Sequence, residues 1–150
     1  MIVNVDENTR ETADALAGFV PNLVVTHPLG PLDNLVLYRQ IGRAFGKKPE
    51  AEALCERFEA AYKAVAGKSF PKRNVLYLIW KDPWMAVSRD TYVSRTLGLF
   101  GLQTLPELAG ERYPKISPEE SWVQDVQLVL LSSEPYRFQK KHLDEIENTF

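Results

Sequence analysis

Apolar residues recur at three- and four-residue steps between residues 49 and 67, at Ala51, Leu54, Cys55, Phe58, Ala61, Tyr62 and Val65. That spacing predicts one face of a long α-helix. Pro49 suits a first helical position, where its missing N–H costs nothing. Glu50 and Glu52 favour the positive end of the helix dipole, and Gly67 supplies a C-cap. At 1.5 Å per residue such a helix runs roughly 27 Å, about the width of a small domain. On either side of it the pattern changes. Residues 2–5 and 23–26 are short apolar runs of the buried-strand type. Between them lies a helical pattern over residues 9–19, with Asp6 or Asn8 as its cap. Asp33 is then placed to cap a helix over residues 34–45. After the long helix, NVLYLIW over residues 74–80 is apolar on both faces, as in a central strand. A helix over residues 91–99 follows, then a loop-rich stretch in which Ser117-Pro118-Glu119-Glu120 opens a short helix. A strand over residues 126–131 and an amphipathic helix over residues 138–147 complete the pattern.

This order is α/β. It predicts parallel-sheet βα lobes joined by a long backbone helix, with the first lobe incomplete, because two strands alone do not make a stable sheet. Residues 1–30 are then a remnant of an N-terminal lobe, residues 31–67 connecting helices that include the backbone helix, and residues 68–150 a C-terminal α/β lobe. The plainer alternative is an ordinary packing helix within one α/β domain. The first strand begins at residue 2, and the chain stops at Phe150 soon after the last helix, where an α/β sheet normally continues with another strand, so the expectation is of a chain cut at both ends.

Composition narrows the function classes. A net charge of −2, with Lys and Arg scattered, gives no electrostatic case for nucleic acid or an anionic membrane. Cys55 is the single cysteine, which excludes an internal disulfide. It sits on the apolar helix face, so a buried thiol is expected. No apolar run reaches transmembrane length, and MIVNVDEN has neither a basic region nor a cleavage site. Taken as a complete chain, it is expected in the cytoplasm.

Ligands of parallel α/β sheets bind outside the carboxyl ends of the strands. That rule selects residues 6–10, 27–31, 81–89 and 132–137. The most distinctive stretch is Lys81-Asp82-Pro83-Trp84-Met85, where Pro83, Trp84 and Met85 form either an apolar ligand wall or a plug for the sheet end. His27 and His142 lack metal-ligand spacing, and no clustered acidic set accompanies them. His27 reads as a loop hydrogen-bonder and His142 as a residue of a solvated helix face. There is no GxGxxG, P-loop or GxSxG. Ser132, Ser133 and Glu134 at a strand end leave open a small cytosolic hydrolase-like enzyme, although no base is paired with them in sequence.

The ordered set of these segments resembles the substrate-binding proteins of ABC importers for cobalamin and ferric siderophores. NVDENTRETADAL looks like a lobe-one strand end and helix, and GKKPEAEALCERFEAAYKAV is similar to the family's Gly-Lys turn and backbone helix. KRNVLYLIWKDPWMAVSRDTYVSRTLGLFGLQTL resembles the first lobe-two strand, its ligand loop and the next helix. YPKISPEE resembles the later stretch carrying an aromatic and a docking carboxylate. The resemblance implies a metal chelate (cobalamin, a ferric siderophore or haem) held in a cleft between lobes and delivered to a permease. Pro83, Trp84, Met85 and Tyr113 would touch ligand. Glu119 would dock to the permease, and Glu11 stands beside Arg10, which occupies the lobe-one carboxylate position. No catalytic residue, cofactor or resident metal is implied. Location would be periplasmic, with membrane contact through the permease only. A fragment that no longer binds ligand is a further alternative.

Overall fold

The structure, a computed structural model, describes residues 1–107 and 110–150. The chain divides into two compact units, Met1–Glu56 and Arg57–Phe150.

In unit 1, β1 (Ile2–Asn4) and β2 (Val24–Thr26) pair in parallel, Val3 opposite Val25. They are linked through α1 (Arg10–Ala17). The α1 cap is Thr9 rather than the expected Asp6 or Asn8. Thr9 has extended backbone, and its side chain accepts from Thr12 N, whereas Asn8 spends its Oδ1 on Asn4 N. No residue of α1 is buried. Next comes α2 (Asp33–Ala44). Asp33 does not cap it as expected. It is the first helical residue, and its carboxylate accepts from Leu29 N and Gly30 N at 2.8 Å, which closes the preceding turn.

α3 (Lys48–Ala66) is one unbroken helix of 19 residues, and the division between the units falls within it. Of the predicted apolar stripe, Ala51 and Cys55 are buried, Phe58, Tyr62 and Val65 are half-buried, and Leu54 and Ala61 are open. In unit 1 it lies against α2. A Cβ on Gly42 would collide with Ala51 Cβ, so only glycine lets the two helices approach this closely. Arg39 clamps Glu52 with three bonds of 2.9–3.1 Å, and Cys55 Sγ lies 3.6 Å from Leu35 O.

Unit 2 is organised on β3 (Arg73–Trp80), whose Val75, Leu76 and Leu78 are wholly buried. One edge pairs in parallel with β6 (Leu128–Leu131). The other is shared. β5 (Leu102–Leu105) runs parallel along Arg73–Leu76, and β4 (Met85–Ala86) runs antiparallel beside Leu78 and Trp80. Both β4 and β5 lie opposite β6, because Leu78 pairs with β4 and β6, and Val75 with β5 and β6. β4 and β5 were not expected from the sequence. Between them lies α4 (Tyr92–Gly98), capped by Thr91. Residues 112–116 run antiparallel along the outer edge of β4. Met85 bridges Lys115, and Ser88 N, Ala86 N and Ile116 N bond to Arg112 O, Pro114 O and Trp84 O.

Two helices differ from expectation. Ser117 does not open one. The helical segment there is a 3-10 turn, Ser121–Asp125, capped at Glu120, whose carboxylate accepts from Ser117 N and Trp122 Nε1. The last helix is α5 (Leu143–Thr149), preceded by a 3-10 turn, Lys140–His142. His142 therefore leaves the solvated face and is buried, with its Nδ1 accepting from Gln139 N at 2.9 Å. The core of unit 2 joins Leu76, Leu78, Ala86, Ile116 and Ile146, with Trp84, Trp122, Phe138 and Phe150 packed against them.

Candidate functional site

The carboxyl ends of β3, β5 and β6 define one edge of unit 2. β3 delivers Trp80 there and passes into the turn Lys81–Trp84, in which Asp82 adopts φ 61°. Aspartate is among the few side chains that tolerate this left-handed conformation. Pro83 is exposed, and Trp84 and Met85 are half-buried. Trp84 is committed to packing. It stacks on Phe138 with ring centroids 6.5 Å apart and meets Phe150 edge-on at 5.4 Å. Lys81 Nζ lies 5.7 Å from its ring centroid and donates to Glu145 Oε2 of α5 at 2.6 Å. That bond, ahead of the Coulombic pull of Glu145 and Asp82, holds the Lys81 ammonium above its ordinary pKa.

Met85 sits opposite Trp80 on β3 and Lys115 on the outer ribbon. Side chains alternate across a strand. Met85, Lys115 and Tyr113 therefore share one face of the β4 ribbon, and Trp84 and Ile116 share the other. Tyr113 is 36% exposed, with the Arg112 guanidinium 5.6 Å from its ring centroid. So Met85 and Tyr113 lie on one face of the ribbon, whereas Trp84 packs against the core. Sequence reading passed over Trp80 and Tyr136. Trp80 is 38% exposed at the end of β3, and Tyr136 meets it edge-on at 5.5 Å. Tyr136 in turn packs on Phe138 at 4.7 Å and His142 at 5.7 Å. The signal available was the end of NVLYLIW itself, since a tryptophan that closes a buried strand lies at its ligand end.

Ser132 follows β6. Its side chain is buried, and its Oγ has no hydrogen-bond partner among the described residues. Among the described residues no base is bonded to it to take its proton, so the hydrolase-like alternative through Ser132, Ser133 and Glu134 gains nothing from the geometry.

The two docking candidates lie apart from these residues in the chain. Glu119 is exposed, precedes the 3-10 turn rather than entering it, and accepts from Ser117 Oγ. Glu11 is exposed in the first turn of α1. Its carboxyl is held below the usual value by its own backbone N–H and then by Thr9. At the carboxyl ends of β1 and β2, His27 Nε2 lies 3.7 Å from Asp6 Oδ1. His27 also lines a depression of about 220 Å³ with Thr26, Asp33 and Gln40. Among the described residues, no group of three or more His, Cys, Asp or Glu side chains is placed to hold a metal ion, and no helix is long and apolar enough to cross a membrane.

No family profile matches the chain. Nor does any curated protein. Solved structures do match. The periplasmic vitamin B12 binding protein BtuF of Vibrio cholerae superposes with a TM-score of 0.76 at 11% identity, over 96% of this chain and 55% of that one. A possible iron-binding periplasmic solute-binding protein of Staphylococcus epidermidis gives 0.73 at 11% identity, over 99% and 60%. The periplasmic heme binding protein HutB of Vibrio cholerae gives 0.70 at 20% identity, over 98% and 58%. The chain thus spans a little over half the length of these structures. Nearly all of it adopts the α/β fold they share, that of periplasmic solute-binding proteins.

Proposed function

We propose that this chain is a substrate-binding component of an ABC importer, binding a metal chelate and passing it to a permease. The carrying observation is that nearly the whole chain follows the fold of proteins described as binding vitamin B12, heme and iron. The carboxyl edge of unit 2 supports the reading. Pro83, Met85 and Tyr113 offer accessible apolar and aromatic surface where such sheets meet ligands. Binding of this kind needs no nucleophile or proton relay, so the role assigned is carriage rather than catalysis. The neighbours are described as periplasmic, which supports the same location for this chain, with membrane contact through the permease only. Glu119 and Glu11 are the carboxylates proposed to meet permease arginines, since an exposed carboxylate can form a charge-assisted, bidentate pair that fixes register.

The test is a calorimetric titration of the chain with cyanocobalamin, haemin and a ferric hydroxamate. Saturable one-to-one binding of one of them is expected, and binding of none overturns the reading. Docking is tested separately. In a transport assay with an ABC permease that imports the bound chelate, Glu119→Arg should abolish uptake and leave chelate affinity unchanged. Normal uptake returns Glu119 to its bond with Ser117.

A further inference from the structure

We propose that Trp80, braced by Tyr136, is the specificity-determining residue of unit 2 and selects chelates that carry a flat conjugated ring system. This rests on the binding function proposed above. Regular alternation would send Trp80 into the core after Leu76 and Leu78, both wholly buried. It does not go there. Leu78 pairs with Ala86 and Trp80 with Met85, so Ile79 is an extra residue on β3 opposite a single step of β4. Such a bulge breaks the alternation and re-aims the next side chain. Trp80 emerges 38% exposed at the strand's carboxyl end.

The ring is held by a neighbouring aromatic and through the next residue. Tyr136 stands against it with an interplanar angle of 69°. Tyr136 is itself fixed by Phe138 and by buried His142, whose Nδ1 is bonded to Gln139 N. The chain immediately after Trp80 is pinned by the Lys81–Glu145 bond. An aromatic side chain with two torsions, backed by fixed neighbours, loses little freedom when it meets a ligand. Its open surface suits offset stacking against another π-system. A chelate built from aliphatic hydroxamates presents no such face. Trp84 lacks this freedom because Phe138 and Phe150 already occupy its ring.

The experiment titrates the 150-residue chain with haemin, cyanocobalamin and ferrioxamine, the last having no ring system, and records a thermal melt for each variant. A ring-bearing probe should bind best. Trp80→Leu should weaken it at least tenfold with the melting midpoint unchanged, and Trp80→Phe, which keeps a ring, should restore most of the loss. Trp84→Leu should instead lower the melting midpoint. Ferrioxamine bound as well as the ring-bearing probes, Trp80→Leu at wild-type affinity, or a Phe variant no better than Leu overturns this inference and leaves the binding function standing. Failure of all three probes to bind overturns both.

Discussion

Gly42 and Gly98 carry the same side chain for different reasons. A Cβ at Gly42 would strike Ala51 Cβ and come within 3.0 Å of Lys47 O, whereas one at Gly98 meets nothing within 4 Å. Gly42→Ala should therefore cost about 1–3 kcal/mol by forcing α2 from α3. Gly98→Ala should be neutral, or stabilising by about 0.4–1 kcal/mol, through the unfolded chain. Denaturant melts of the two variants check the contrast. Lys81 carries a pH signature. Its folded pKa lies above the usual lysine value because Glu145 bonds the ammonium. The pair's stabilisation is thus complete below the ordinary lysine range and is lost as pH climbs through the raised value. The melting midpoint should fall at strongly alkaline pH more steeply in the native chain than in Glu145→Gln, and equal slopes would exclude the pair as the cause. Of the candidate residues, Pro83, Trp84 and Met85 stand out in the sequence because a Trp and Met beside a proline are distinctive in a loop, but the sequence does not tell which of them packs inward, as Trp84 does. Trp80 does not stand out, because the apolar run hides the bulge at Ile79 that turns it outward.

Among the elements, β3, α3 and the β1–α1–β2 unit were readable because each carries a sustained period or a clear apolar run. β5 was not, since LQTL offers only two apolar residues around Gln103 and Thr104. Thr104 is nonetheless wholly buried, its hydroxyl 2.5 Å from Ser94 Oγ on α4. Tertiary pairing, invisible in the local pattern, makes a polar residue a core residue. Ser94→Ala alone should cost about 1–3 kcal/mol by stranding the Thr104 hydroxyl. Ser94→Ala with Thr104→Val should recover part of that in a double-mutant cycle, and strict additivity would show that the two hydroxyls do not depend on each other. β4 was missed for a simpler reason. It has two residues, and it exists only because β3 offers it an edge and residues 112–116 cover its far side.

Across the whole molecule, burial is uneven. Val75, Leu76, Leu78, Ala86, Val87 and Ile146 are all buried in unit 2, whereas unit 1 buries Val3, Ala51 and Cys55 and leaves Phe19 73%, Val25 51% and Ile2 43% exposed. Opening should therefore begin in unit 1. Hydrogen exchange should be fast at Ile2–Asn4 and Val24–Thr26 and slowest at 75–78, and equal protection of the two sheets would refute this ranking. The sequence suggested a thin first sheet through its two short runs. It could not suggest how one edge of β3 is divided, because that depends on two strands too short or too polar to read. The divided edge bears on how the chain is made. β3 is complete long before its other neighbour exists, since Val75 pairs with Leu128, 53 positions later. At about 5–20 residues per second, this eight-residue strand, the longest among the described residues, is made roughly 3–10 s before that flank can be covered. A factor that shields NVLYLIW until residues 128–131 can pair with it should therefore reduce aggregation of the newly made chain.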